Sequence, residues 1–324
     1  MRALVMTGAA SLLSLAVAAP VSGVPEQWST EPFTASVAIR AGDVNGDGKD
    51  DLVRYNINWC TVMLSSGSGF QPGQDWGGCR SGANDSSYYA YFIGDVDNDG
   101  RADAITVRPN AISSPRVRGL FVARSITDNH GVERFGTPTQ WLDNTIAGDE
   151  GSLAADLEGD GDTDVIGLFT GVPPLAARSN GTATLPLIAW GPPLRGEKAT
   201  LSADATGDGQ ADFILVDSGG TRVVPGTANR WFDTPAQWST TAFHGTRKTF
   251  TADIDADGKA DLIAVNDTDV QVMRSTGAGY SAPELWYSDS FSGTKETLTA
   301  DVDGDGDADL VAVNDNDVQV LRSQ

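Results

Sequence analysis

Apolar runs of a few residues recur along the chain, separated by acidic, glycine-containing stretches. Ala260-Asp-Leu-Ile-Ala-Val265, Asp212-Phe-Ile-Leu-Val216 and Ala308-Asp-Leu-Val-Ala-Val313 are aliphatic and β-branched, a composition that predicts strands. A longer grammar repeats around them. Thr251-Ala-Asp253 leads into one such run and Asp269-Val-Gln-Val-Met273 follows it; Thr299-Ala-Asp301 and Asp317-Val-Gln-Val-Leu321 flank another in the same order. A Gly-rich turn then leads to a further strand ending in Trp, as in Thr137-Pro-Thr-Gln-Trp141, Thr234-Pro-Ala-Gln-Trp238 and Ser281-Ala-Pro-Glu-Leu-Trp286. Corresponding residues at 156, 204, 253 and 301 give a period of about 48 residues. Four short antiparallel strands per repeat of that length predict an all-β chain folded as a β-propeller.

The two ends of the pattern complement each other. The chain reaches Val24-Pro-Glu-Gln-Trp28, a fourth strand without its first three, and finishes on Val318-Gln-Val-Leu-Arg322, a third strand without its fourth. Joined in one composite blade they would cover two exposed sheet edges. The repeated Trp positions are then 28, 76, 141, 190, 238 and 286, so six four-stranded blades are expected, with these Trp packing between blades. Trp59 and Trp231 lie outside that register.

The acidic stretches carry the candidate chemistry. Each has carboxylates or other oxygen donors at alternate positions around a Gly, which suits a hard cation needing six to eight oxygens. The first offers Asp43, Asn45, Asp47, Lys49 (through its carbonyl) and Asp51; the second, Asp95, Asp97, Asp99, Arg101 (carbonyl) and Asp103. The third offers Asp156, Glu158, Asp160, Asp162 (carbonyl) and Asp164; the fourth, Asp204, Thr206, Asp208, Gln210 (carbonyl) and Asp212. The fifth offers Asp253, Asp255, Asp257, Lys259 (carbonyl) and Asp261; the sixth, Asp301, Asp303, Asp305, Asp307 (carbonyl) and Asp309. Up to six Ca²⁺ ions are expected, bound most weakly where Asn45 and Thr206 replace an acid. An EF-hand is excluded, because the twelfth positions are Arg54, Thr106, Gly167, Leu215, Ala264 and Ala312 rather than Glu.

Arg2 followed by the apolar stretch from Ala3 to Ala18 reads as a signal peptide within residues 1–23, cleaved after Ala18 or Gly23. Residues 24–324 then form one secreted, extracellular domain. Formal charge is −22, which argues against nucleic acid or an acidic membrane as partner. No later segment is apolar enough for membrane insertion, and a monomer is expected. Cys60 and Cys79 are the only cysteines, and in a secreted chain such a pair is expected to be bridged.

The loop Asp-x-Asp-x-Asp-Gly-x-x-Asp between two strands of every blade resembles the FG-GAP and VCBS repeat proteins and the integrin α-chain propeller. The resemblance implies calcium binding and recognition of an extracellular glycan or protein, as an adhesion or recognition module; the integrin propeller makes seven blades the alternative count. Polysaccharide lyases that resemble the family supply an enzyme alternative, and a purely structural calcium-stabilised protein is the third. No local signature of catalysis is present, and only His244, beside Arg247 and Lys248, reaches the face opposite the loops, where Tyr88 would be its acid. On that face the link after Trp76 and the turn over residues 108–118 are longer than their counterparts. Trp59, Asn84, Asp85, Tyr88, Tyr89, Arg116 and Arg118 are therefore the candidate ligand-binding residues, their aromatic rings suited to sugar C–H faces and their polar groups to hydroxyls.

Overall fold

The computed structural model describes residues 23–35, 37–57, 59–79, 90–108, 119–144, 146–227 and 234–323. Residues 1–22, Trp231 and the candidates Asn84, Asp85, Tyr88, Tyr89, Arg116 and Arg118 lie outside them. Every regular element among the described residues is a strand, and no helix is long and apolar enough to cross a membrane.

Six four-stranded antiparallel sheets form the blades of a propeller. Blade 1 runs through Ala38–Gly42, Asp51–Tyr55, Cys60–Met63 and Gln74–Gly77. The innermost strands of the next four blades are Ala90–Gly94, Gly151–Ala155, Ala199–Ala203 and Lys248–Ala252. Blade 6 is the composite one: Glu296–Ala300, Asp309–Val313 and Val318–Leu321 are completed by Glu26–Ser29, with Glu26 opposite Val320. Successive innermost strands touch one another, and the first touches the last, so the ring closes at six. Blade 2 adds a hairpin, Ser125–Thr127 with Glu133–Phe135, between its third and fourth strands.

The core lies between blades rather than within one central cluster. Six apolar clusters each join two neighbours; the one between blades 1 and 2 gathers Val53, Tyr55, Val62, Trp76, Tyr91, Ala104 and Phe135. Sheets this small are stable only because both faces are covered in this way. The repeated Trp residues do the joining: Trp28 meets Phe70, Trp76 meets Phe135 and Trp238 meets Tyr280, with ring centroids 5.5, 5.3 and 5.3 Å apart. In five blades the Trp falls at a break in register, two residues on the fourth strand spanning one step of the third. Such a bulge re-aims a side chain, here into the boundary with the next blade. Trp141 is only half-buried, and the Arg124 guanidinium lies over its ring.

Candidate metal centres and ligand face

All six acidic loops connect the first and second strands of a blade, so all lie on one face, and each folds the same way. The first Asp organises the turn: Asp43 accepts the amides of Gly46 (2.7 Å) and Gly48 (2.8 Å), and Asp253 accepts those of Asp257 (3.2 Å) and Gly258 (2.8 Å). The fifth-position acid accepts the seventh amide, as Asp99 does from Arg101 at 3.0 Å. Positions four and six are left-handed in every loop, including Asn98 (φ 52°) and Ala256 (φ 49°). Gly at the sixth position relieves the strain a side chain would meet there.

The second residue of each loop, Val44, Val96, Leu157, Ala205, Ile254 or Val302, is fully buried. It pins the loop into the cluster shared with the following blade. Their sequence signal is the apolar residue that follows the first Asp of every loop.

The ninth-position acids are also buried. Asp51 accepts the Val44 amide at 3.2 Å and the Ser65 amide at 2.8 Å; Asp164 accepts those of Leu157 (3.1 Å) and Ser179 (2.7 Å). Burial pushes Asp51, Asp103 and Asp164 up to about 8, Asp261 and Asp309 to about 7 and Asp212 to about 6, partly countered by those amides. The serine hydroxyls tie loops to neighbours: Ser65, Ser179 and Ser275 donate to the carbonyls of Val302 (2.5 Å), Val96 (2.6 Å) and Ala205 (2.6 Å) in the preceding loop.

Charge at the third position is matched by an arginine one strand away. Asp97 pairs with Arg124 at 2.8 Å, Glu158 with Arg178 at 2.6 Å, Asp303 with Arg322 at 3.3 Å, and Asp255 with Arg274. Where the third position is neutral, at Asn45 and Thr206, the arginine's place is taken by Leu64 and Pro225. The extra acid in four loops is thus countered before any ion is considered. Arg178 takes both oxygens of Glu158, whereas Arg124 and Arg322 take only Oδ2 of Asp97 and Asp303.

In three loops the donor set fits a divalent cation. The Oδ1 atoms of Asp97, Asp255 and Asp303 are buried with no hydrogen-bond donor, and a buried carboxylate oxygen without a partner is costly. Those are the loops in which Asp95, Asp97 and Asp99, or Asp253, Asp255 and Asp261, or Asp301, Asp303 and Asp305 each bring one oxygen within 4.8 Å of the others. Among the described residues the first, third and fourth loops assemble no such acidic trio. An ion bound there would neutralise converging carboxylates and lock the turn.

On the opposite face, Cys60 and Cys79 are joined, tying the start of the third strand of blade 1 to the segment after its fourth. Trp59 stands beside this bond and is 45% exposed, as is Ile57. This face also holds a groove of about 260 Å³ between blades 3 and 4, bordered by Glu150, Ser152, Arg195, Glu197 and Thr200, with Arg195 paired to Glu150 at 2.7 Å. It went unseen in the sequence, since its two walls come from separate repeats. His244 has its Nδ1 buried without a hydrogen-bond partner, and His130 sits exposed at the tip of the blade 2 hairpin.

The fold and its loops define an all-β, six-bladed propeller with one Asp-rich turn per blade. Residues 204–264 and 253–312 match the FG-GAP-like repeat, so the chain carries FG-GAP-like repeats. Comparison with curated proteins finds no match. Among solved structures, a lectin of Agrocybe aegerita described as recognising non-reducing terminal N-acetylglucosamine is 22% identical, with 90% of this chain and 81% of that one covered and a TM-score of 0.62. The Photorhabdus luminescens Tc holotoxin pore is 18% identical over 92% of this chain, TM-score 0.61, but this chain spans only 14% of that one. A glucose dehydrogenase is 10% identical, covering 93% and 99% of the two chains, TM-score 0.53. At these identities the likeness shows the fold, which hosts binding and catalytic proteins alike.

Proposed function

We propose that the chain is a secreted recognition module: calcium ions hold the loop face, and an extracellular glycan or protein binds the opposite face over blade 1. Exposure of Trp59 beside the Cys60–Cys79 bond is the observation that carries this reading. A large aromatic ring held in solvent by a covalently pinned segment is preorganised for contact, with little entropy left to lose on binding. The disulfide also fits an oxidising, extracellular setting, where calcium is plentiful. The resemblance to a lectin makes glycans ending in N-acetylglucosamine the first ligands to try.

The test is a glycan array with the intact chain and a Trp59→Ala variant, read in calcium. Binding that falls at least about tenfold in the variant, with an unchanged melting curve, supports the reading. A second location is favoured by the polar groove between blades 3 and 4, whose Glu150, Arg195 and Glu197 suit hydroxyl groups. Retained binding in Trp59→Ala together with loss in Arg195→Ala moves the site there. New unsaturated ends in a uronate polysaccharide would replace the binding module with a lyase.

A further inference from the structure

The seam that closes the ring carries a groove at its rim. Its volume is about 360 Å³, within the range of sites that hold a small ligand. One wall is the outermost strand of blade 6 with the link beyond it, contributing Gln27, Ser29, Thr30 and Glu31; the other is Phe70 and Pro72 of blade 1. Beneath lie the rings of Trp28 and Phe70, 4% and 9% exposed, with centroids 5.5 Å apart. The Phe70 amide donates to the Trp28 carbonyl at 3.0 Å. Packing that the fold needs in any case therefore fixes the spacing of the two walls.

The same frame recurs between blades 4 and 5, and the contrast isolates what is particular to the closing seam. There the Tyr280 amide donates to the Trp238 carbonyl at 3.2 Å, and the Thr241 amide donates to Ser239 Oγ at 3.1 Å, as the Glu31 amide does to Ser29 Oγ at 3.0 Å. Gln237 is committed to its own blade, donating to the carbonyls of Thr221 and Ser239. Its counterpart Gln27 is exposed, and among the described residues its amide makes only a 3.4 Å contact with Asp317. Where the other seam has Thr241 and Pro283, the closing seam has Glu31 and Gly73. The Gly73 amide donates to Glu31 Oε2 at 3.2 Å, a bond that a proline cannot make. It holds an exposed carboxylate at the groove. Among the described residues Glu31 Oε1 accepts no hydrogen bond, the Ser29 and Thr30 hydroxyls donate none, and Glu31 forms no ion pair.

We propose that this groove is a glycan subsite separate from the Trp59 face, taking a neutral sugar end whose two adjacent hydroxyls are held by the Glu31 carboxylate. An ionised carboxylate accepts from two donors at once, and the Gln27 amide with the Ser29 and Thr30 hydroxyls can both donate and accept, which matches the alternating hydroxyls of a sugar ring. Pro72 offers a rigid apolar edge to ring C–H groups. Charge sets the class of sugar: Glu31 has no ion-pair partner and Asp317 stands beyond Gln27. A uronate or a sulfated sugar is therefore repelled where a neutral one is bound.

Titration and hydrogen exchange of the full chain in calcium test this, with the methyl glycosides of glucose, galactose and mannose as probes and methyl glucuronide as their anionic counterpart. At least one neutral glycoside is expected to bind at millimolar concentration and to slow exchange over residues 27–31, and the glucuronide is not. Glu31→Gln, which keeps an acceptor for the Gly73 amide, should weaken binding about tenfold or more. Thr30→Arg, at an exposed position, fills the groove and should abolish binding with the melting curve unchanged. Thr241→Ala, at the matching place of the other seam, should stay within about twofold. Failure of every neutral glycoside to bind, equal binding of the glucuronide, or undiminished binding in both Glu31→Gln and Thr30→Arg overturns the inference. Protection confined to the segment around Trp59 also overturns it, while leaving the reading of that face standing.

Discussion

The amide of Asp50 donates to the carbonyl of Asp301 at 2.7 Å, across 251 residues of sequence. It is the sixth link of a closed circuit in which the eighth residue of each loop, Ala102, Thr163, Ala211, Ala260, Ala308 or Asp50, bonds the first Asp carbonyl of the loop before. The seam between first and last blades is thus built like every other boundary. Deleting residues 24–30 removes the strand paired with Val318–Leu321 and bares an edge. The expected outcome is association on size-exclusion chromatography and a melting temperature lower by roughly 10 °C or more.

Chelation should weaken the fold. A loop with a dissociation constant near 10⁻⁴ M contributes about 1.4 kcal/mol at roughly 10⁻³ M calcium. Three filled loops would then raise the melting temperature by roughly 10 °C. Calorimetric scans in calcium and in EGTA that superimpose would remove calcium from the account.

The pH dependence of the chelated protein follows from the buried ninth-position acids. Their folded values lie above the ordinary carboxylate value, up to about 8 for Asp51, Asp103 and Asp164. The folded chain therefore binds more protons than the unfolded one between about pH 4 and 8, and stability falls as pH rises through that window. Calcium opposes the loss by holding carboxylates ionised. The gap between melting temperatures with calcium and with EGTA should widen from pH 5 to pH 8; a constant gap would count against these acids.

Arg274→Leu copies the arrangement that blade 1 has at Leu64. It leaves Asp255 without its counter-ion in a partly buried place, which costs about 1–3 kcal/mol in EGTA. Because the freed oxygen becomes available to a cation, the deficit should shrink in calcium. Urea titration in the two buffers measures both values, and a larger deficit in calcium would mean that Arg274 positions Asp255 for the ion instead.

The Cys60–Cys79 bond closes a loop over a separation of 19 residues. Replacing both cysteines by Ala should lower stability by roughly 3 kcal/mol on the chain-entropy view. A melting shift below about 2 °C would show that the reduced chain keeps that segment ordered.

Much of this was legible in sequence because it was written locally and repeatedly. Four strands, a Gly-rich turn and a terminal Trp recur in one order, so blade number, the composite closing blade and the loop positions followed from aligning the chain with itself. The Cys pair stands out in the sequence by its isolation, and the structure joins Cys60 to Cys79. The ligand face was less accessible. Its candidates other than Trp59 fall outside the described residues, and the groove near Arg195 joins two repeats whose link residues look ordinary in isolation.

By itself the sequence determined the repeat, the strand order within each blade and the acidic donors available to each loop, since these depend on residues a few positions apart. The tertiary structure decided how those donors are spent. Whether a third-position residue finds an arginine, as Asp97 finds Arg124, or has Leu64 in that place, as Asn45 does, and whether Asn98 reaches the Asp160 carbonyl of the next loop, depends on ring curvature bringing separate strands and blades into contact. A side chain counted as one loop's own can then bond its neighbour, as Asn98 bonds the Asp160 carbonyl, because electrostatics follows distance in space and not order along the chain.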